Sequence, residues 1–218
     1  MKRASIIGLV ASLATTFALT TACESPDSGA RFDEYTSIVG DEAPPSELCD
    51  AEVRDMSGKY FFRLQHQLSP VHNILMELDI VSTAENTYTL TFMPLKADLV
   101  TGGDPEDPED WRDDAREPVG TPIVVEGVQQ SPNGEFDLEL IQASVTGEAN
   151  SLTGGEILAD IFMTVAACSD GLICGDGKLD LFAPLALKNQ RGTFGATLAN
   201  DGIDDSNTAP FSCSSDPR

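Results

Sequence analysis

The sequence is short of basic residues, of histidine and of aromatic side chains. It holds 13 lysines and arginines against 36 aspartates and glutamates, and its formal net charge is −23. A chain of this charge repels phosphate backbones, so we expect no nucleic-acid partner. It has two histidines and no Gly-x-Ser-x-Gly, His-Glu-x-x-His or Walker-type motif, which leaves few hydrolase mechanisms. We therefore predict that the protein is not an enzyme.

Helical periodicity is also missing, and alternation of apolar and polar residues takes its place. A period of two with one polar face is typical of antiparallel sheet with one solvated side. The alternating or apolar segments are 60–68, 74–80, 87–92, 123–125, 135–140, 157–165, 178–181 and 194–198. We predict an all-β fold, an antiparallel up-and-down barrel of about eight strands. A two-sheet β-sandwich is the alternative.

A long uncharged run occurs at the N-terminus. Lys2 and Arg3 precede it, and residues 4–22 carry no charge, which predicts a signal peptide over residues 1–22. The run ends in Leu-Thr-Thr-Ala-Cys at residues 19–23, which resembles the lipobox of bacterial lipoproteins. The resemblance implies that Cys23 becomes an N-terminus bearing acyl chains such as palmitate, which attach the protein to a lipid membrane.

The residues after the lipobox bear on location. No aspartate follows Cys23, so the inner-membrane retention signal of such lipoproteins is missing. We expect the bacterial cell envelope, at the outer membrane or the cell surface. The segment 168–198, with Cys-Gly-Asp-Gly at 174–177 and Arg-Gly-Thr-Phe at 191–194, is similar to lipoproteins of unassigned function in myxobacteria and their relatives. That resemblance implies no activity and supports the lipoprotein prediction.

The mature chain divides into a tether and a domain. Removing residues 1–22 removes Lys2 and Arg3 and no acid, which takes the formal charge from −23 to −25. Residues 24–47 are rich in Ser, Asp, Gly, Pro and Glu, a composition typical of a disordered tether. We predict a lipidated cysteine and tether over 23–47 and an antiparallel β domain over 48–218.

Five cysteines are present, and Cys23 is assigned to the lipid. The remaining four, in an exported protein, predict two disulfides, for which three pairings are possible. We favour Cys168–Cys174, which staples a hairpin tip, and Cys49–Cys213, which ties the two ends of the domain. The Cys-x5-Cys spacing does not fit a zinc finger.

An eight-stranded barrel is either filled by side chains or encloses one small ligand. The first hypothesis for function is therefore a lipid-anchored, exported binding module that carries a small apolar ligand. His66 shares the face of the first strand's apolar residues, and Trp111, the only tryptophan, lies in an acidic loop over 102–118 that could form a lid. The predicted ligand-binding residues are Tyr60, Phe62, His66, Met76, Tyr88, Phe92, Trp111 and Phe136.

The acidic loop supports a second hypothesis. Calcium takes oxygen ligands, and the clustered carboxylates of this loop could supply them; a solvated loop held open by self-repulsion is the alternative. The candidate ligands are Asp104, Asp107, Asp110 and Asp114. This predicts a structural or adhesive surface lipoprotein, with calcium as the one cofactor considered. A carboxylate-based hydrolase is the second alternative, because acids are abundant.

Overall fold

The structure, a computed structural model, describes residue 49 and residues 52–67, 69–169 and 171–213. The predicted signal peptide, Cys23 and the tether lie outside the described residues. The strands are β1 (Gly58–His66), β2 (Ser69–Ala84), β3 (Thr87–Pro94), β4 (Ile123–Gln129), β5 (Glu135–Val145), β6 (Ile157–Ser169), β7 (Leu172–Ala183) and β8 (Leu187–Leu198). Two 3-10 turns, Pro108–Asp110 and Gly147–Ala149, are the helical elements of the described chain, which contains no helix long and apolar enough to cross a bilayer.

The eight strands form one antiparallel sheet in the order β4-β3-β2-β1-β8-β7-β6-β5. Neighbours in sequence are neighbours in the sheet, and pairing of β1 with β8 joins the first strand to the last. β4 and β5 contact each other, but the described residues of these two strands share no hydrogen-bonded ladder. The result is a nearly closed up-and-down barrel, which confirms the predicted fold class.

Alternation along each strand decides which side chains fill the barrel. In β1, Tyr60, Phe62 and Leu64 belong to the interior cluster, whereas Phe61 belongs to a second apolar cluster on the other face. The Phe62 ring packs edge-on against Phe92, with 5.4 Å between centroids, and stacks on Phe194 at 5.3 Å. Such aromatic contacts add stability beyond the buried area.

One end of the barrel, which we call the closed end, is covered by residues 52–57. The hydroxyl of Tyr60 donates to the Met56 carbonyl at 2.9 Å, and that of Tyr88 donates to the Arg54 carbonyl at 3.2 Å. Burial raises the pKa of Tyr60 to about 12. Gly134 has φ +81°, and a Cβ there would lie 2.5 Å from the Glu52 backbone, so this close approach requires glycine. The opposite end, which we call the open end, carries the β1–β2, β3–β4, β5–β6 and β7–β8 connections.

Two connecting segments form a layer outside the barrel. The β3–β4 connection and residues 199–213 pack on the outer face, where they bury the second apolar cluster around Phe61 and Leu75. Arg116 ties the two segments together: its Nη1 donates to the carbonyls of Asp204 at 2.5 Å and Asn207 at 3.0 Å, and its guanidinium lies 4.8 Å from the Phe61 ring centroid. The acidic loop is therefore held by specific contacts along part of its length.

All four predicted cysteines form disulfides, but the favoured pairing was wrong. The bonds are Cys49–Cys168 and Cys174–Cys213. Cys168 and Cys174 lie at the β6–β7 hairpin with their sulfurs 2.8 Å apart, yet each is bonded to a segment outside the strands. All four sulfurs lie within 4.8 Å of one another, so several pairings are close in space and sequence spacing cannot choose between them.

Peptide mapping without reduction tests this pairing. We expect linked peptides containing Cys49 with Cys168 and Cys174 with Cys213. We also expect the double variant Cys49→Ala/Cys168→Ala to lose about 2–5 kcal/mol of unfolding free energy in urea, as for other native disulfides. A Cys168–Cys174 peptide from native protein would contradict the assignment.

Candidate functional site

An apolar cavity of about 80 Å³ lies inside the open end of the barrel, and we call it the end cavity. Most strands contribute inward side chains to it, and the β5–β6 and β7–β8 connections form its mouth. Its lining residues are Leu64, His66, His72, Ile74, Met76, Ala143, Val145, Asn150, Leu152, Thr153, Ile157, Ala159, Ile161, Leu179, Leu181, Ala183, Pro184, Leu185 and Leu187.

Small side chains explain why the cavity lies in the open half of the barrel. Ala143 of β5 pairs directly with Ala159 of β6, and Ala159 is 0 % exposed. At the closed end the inward positions carry large rings, such as Phe62, Phe92 and Phe194, that fill the interior. Since eight strands leave a channel just wide enough for side chains, an alanine pair leaves a gap that larger side chains close elsewhere.

The mouth of the end cavity is apolar and held in place. Leu152 is 42 % exposed and Leu185 is 59 % exposed, so the rim presents apolar side chains to solvent. Asn150 fixes the β5–β6 connection: its Nδ2 donates to Thr153 Oγ1 at 2.6 Å and to the Gly155 carbonyl at 2.9 Å, and its Oδ1 accepts from the Leu152 amide at 3.2 Å. The rim is therefore a defined surface of the barrel.

Both histidines of the chain line the end cavity. His66 ends β1, and His72 lies near the start of β2, which begins at Ser69. β2 therefore begins before residue 74, where the alternating segment of the sequence starts. Burial lowers the pKa of His66 below its ordinary value, which favours the neutral imidazole at pH 7. A neutral His66 suits an uncharged ligand.

The predicted ligand-binding residues divide into three groups. His66 and Met76 line the end cavity. The prediction that aromatic rings line the cavity was wrong, because these rings fill the closed half of the barrel and are 1–3 % exposed: Tyr60, Phe62, Tyr88, Phe92 and Phe136. Trp111 is 49 % exposed and lines a groove on the outer face. The Ala143–Ala159 pair was missed, since it becomes visible only when the register of β5 and β6 is known.

Asp114, one of the four candidate calcium ligands, is engaged with two cations. It accepts hydrogen bonds from Arg112 Nε at 3.0 Å and from Lys96 Nζ. These bonds lower the pKa of Asp114 to about 2. Its charge is thus balanced within the β3–β4 connection.

The other three candidate ligands accept backbone hydrogen bonds. Asp104 accepts from the Glu106 amide, Asp107 from the Glu109 amide and Asp110 from the Asp104 amide, at 2.9, 3.0 and 2.7 Å. Within the described ranges, the four disulfide-bonded cysteines are the one group of three or more acidic, histidine or cysteine side chains with ligand atoms close enough for a metal. Calcium binding in this loop stays a prediction without a clustered set of donors.

Buried polar side chains bear on the hydrolase alternative. In the part of the chain that the structure describes, the buried polar residues are Gln130, Asn150 and Ser151, and no carboxylic acid is among them. The hydrolase hypothesis stays a prediction. The described buried residues supply no pair of carboxyl groups for it.

Comparison with known proteins adds little to this geometry. No family model matches the chain, and no curated protein matches it. Among solved structures, a redesigned beta barrel is similar with a TM-score of 0.39 and 10 % sequence identity, over 71 % of this chain and 99 % of that one. The barrel assignment rests on the strand pairing described above.

The lowered pKa of His66 predicts a pH dependence of stability. Below its ordinary pKa of 6.5 the unfolded chain binds a proton that the folded His66 resists. The free energy of unfolding should therefore fall as pH decreases from about 7 towards 5. The stability that the neutral His66 contributes should be fully present above about 6.5. Urea unfolding at a series of pH values measures this.

The matched variant for that experiment is His66→Gln, which removes the titrating group and keeps a polar side chain. Its stability should change less between pH 7 and 5. The lowered pKa values of Asp55, Asp114 and Asp204 act in a separate window, because they remove stability only as pH falls through about 4. An equal slope in both proteins between pH 7 and 5 would contradict the assignment to His66.

Proposed function

We propose that the protein is a non-enzymatic binding module, exported and anchored by lipid through Cys23, that carries a small apolar ligand in the end cavity. One observation carries the proposal: the barrel interior is filled at the closed end and contains an apolar cavity beneath an exposed apolar rim at the open end. Concave, mostly apolar sites with few polar groups are typical of small-molecule binding.

The volume of the end cavity limits the ligand. A water molecule occupies roughly 30 Å³ of liquid, so about 80 Å³ accepts about three methyl- or methylene-sized groups. The ligand is therefore a small apolar molecule or the tip of a longer chain whose remainder lies at the mouth. The exposed side chains of Leu152 and Leu185 supply an apolar surface for that remainder.

The direction of the chain fits this use of the open end. Cys49 is bonded to Cys168, which lies at the closed end beside the β6–β7 turn. The chain that comes from the proposed anchor thus joins the barrel opposite the mouth of the end cavity. Anchoring leaves the mouth unobstructed by the point of attachment. The lipobox-like residues 19–23 support the anchor, and the proposed location is the bacterial outer membrane or cell surface.

Two alanine-to-leucine variants separate a cavity from a packed core. Ala143 lines the end cavity, whereas Ala196 packs at 0 % exposure opposite Phe62. Ala143→Leu should fill the cavity and leave the unfolding free energy unchanged or higher, since it fills space. Ala196→Leu should lose about 1–3 kcal/mol, because the closed half has no room. Urea unfolding compares the two.

The same variants test binding. In wild-type protein, titration with 1-butanol and 1-hexanol should give saturable shifts in the NMR signals of the methyl groups of Val145, Ile161 and Leu179. Ala143→Leu should abolish those shifts while remaining folded. Saturable binding that survives in Ala143→Leu, or no binding in the wild type, would overturn the proposal for this cavity.

A further inference from the structure

The four disulfide-bonded cysteines lie together at the closed end of the barrel, and we call them the cysteine cluster. Their sulfur atoms all lie within 4.8 Å of one another. The bonded pairs are Cys49–Cys168 and Cys174–Cys213. Two disulfides in so small a volume are placed to exchange partners, because exchange requires a thiolate to reach a neighbouring disulfide sulfur. The cluster is separate from the end cavity, which none of its members lines.

Cys168 and Cys174, the inner members of the cluster, are placed by the sheet. Ala167 of β6 pairs with Ile173 of β7, and Cys168 follows as the extra residue of a β-bulge. Cys174 pairs with Ala166 on the same two strands. The two sulfurs are 2.8 Å apart although they are not bonded, which is about 0.8 Å more than the length of a disulfide bond. A bond between them therefore requires a small movement of two side chains and no change of register.

Cys49 and Cys213, the outer members, belong to segments outside the strands. Both are partly exposed, whereas Cys174 is 0 % exposed. A reductant from solution therefore meets the Cys174–Cys213 bond from the side of Cys213. Attack there sets free the thiolate of Cys174, which is costly because it is buried. That thiolate lies beside the sulfur of Cys168, so a second disulfide is within its reach.

We propose that the cysteine cluster is a redox site that a dithiol reduces by two electrons, and that the disulfide left afterwards joins Cys168 to Cys174. A thiolate of the dithiol attacks Cys213 Sγ, forms a mixed disulfide and displaces Cys174 as a thiolate. The second thiol of the reductant then displaces Cys213 and closes the oxidised reductant. The Cys174 thiolate attacks Cys168 Sγ and displaces Cys49.

The electrons and protons of these steps balance. The dithiol loses two electrons and two protons, which Cys49 and Cys213 gain as thiols. Two protein disulfides become one protein disulfide and one oxidised reductant. Attack at Cys49 first gives the same product, because the thiolate of Cys168 then attacks Cys174 and displaces Cys213. Both routes therefore end with the same pair of free thiols.

Conformational entropy favours this product. The Cys49–Cys168 bond spans 119 residues and the Cys174–Cys213 bond spans 39, and each holds a segment outside the strands. A bond between Cys168 and Cys174 joins strands that the β6–β7 ladder already orders. Release of the two outer cysteines therefore restores chain freedom that the new bond does not remove. One reduction frees both segments while the barrel keeps a cross-link.

Thiol labelling tests the exchange in the folded protein. The chain from residue 23 onward carries Cys23→Ser, so that the cluster supplies every thiol. It is treated with one equivalent of dithiothreitol, quenched with acid, and labelled with N-ethylmaleimide. No lysine or arginine separates Cys168 from Cys174, so a protease that cleaves before Asp170 is used to place them on different peptides. Mass spectrometry then maps the label and the remaining bonds, and circular dichroism follows the sheet.

We expect equal labelling of Cys49 and Cys213, at least about tenfold above that of Cys168 and Cys174, because exchange protects the inner pair. A linked Cys168–Cys174 peptide should increase in step with the label. The matched control is Cys174→Ala/Cys213→Ala in the same chain, in which exchange is impossible. The same treatment should label Cys49 and Cys168 equally in that variant.

Two results would overturn the proposal. Equal labelling of Cys168 and Cys49, or of Cys174 and Cys213, in the chain with an intact cluster would show that the two disulfides are reduced independently. Resistance of the folded chain to dithiothreitol, with no thiol set free, would show that no dithiol reaches the cluster. The pattern in the intact cluster decides between these outcomes even when the alanine variant does not fold.

Discussion

The interior of an eight-stranded barrel must be filled by its own inward side chains, and the rest of this structure depends on how that is done. The closed half contains Phe62 in contact with both Phe92 and Phe194, and the open half contains the Ala143–Ala159 pair. Because dense packing leaves little room for adjustment, the difference in side-chain volume along the axis becomes a cavity at one end. The polar atoms at the closed end, such as the Tyr60 and Tyr88 hydroxyls, bond to the segment that covers them.

The layer outside the barrel is held together by a few cationic side chains. A chain of charge −23 carries few cations, and several of them are placed where segments meet. Arg116 joins the β3–β4 connection to the C-terminal segment, and Lys96 and Arg112 neutralise Asp114 within the connection. Arg63 differs from these residues, since its guanidinium stacks on the Phe211 ring and forms no ion pair with a described carboxylate, although Asp98 lies near enough to favour its charge. The cations thus order an acidic loop that self-repulsion alone would extend.

Sequence alternation was sufficient for the strands and for the inward faces. Tyr88, Leu90 and Phe92 of β3 are buried as expected, and strands that follow one another in sequence are neighbours in the sheet, even across the long β3–β4 connection. The cavity could not be located because its level depends on the register that brings Ala143 opposite Ala159. The disulfide pairing and the place of Trp111 depend on contacts between distant segments, such as that of Arg116 with Asn207, and local patterns do not encode them.

The central claim is that the open half of the barrel contains an apolar cavity, whereas aromatic rings fill the interior of the closed half. Xenon binds apolar cavities of this kind, so a crystal of the domain pressurised with xenon tests the claim directly. We predict one xenon site inside the barrel, in contact with Ala143, Ala159 and Leu179, and none among Phe62, Phe92 and Phe194. Xenon absent from the open half, or bound among the aromatic rings, would contradict the account.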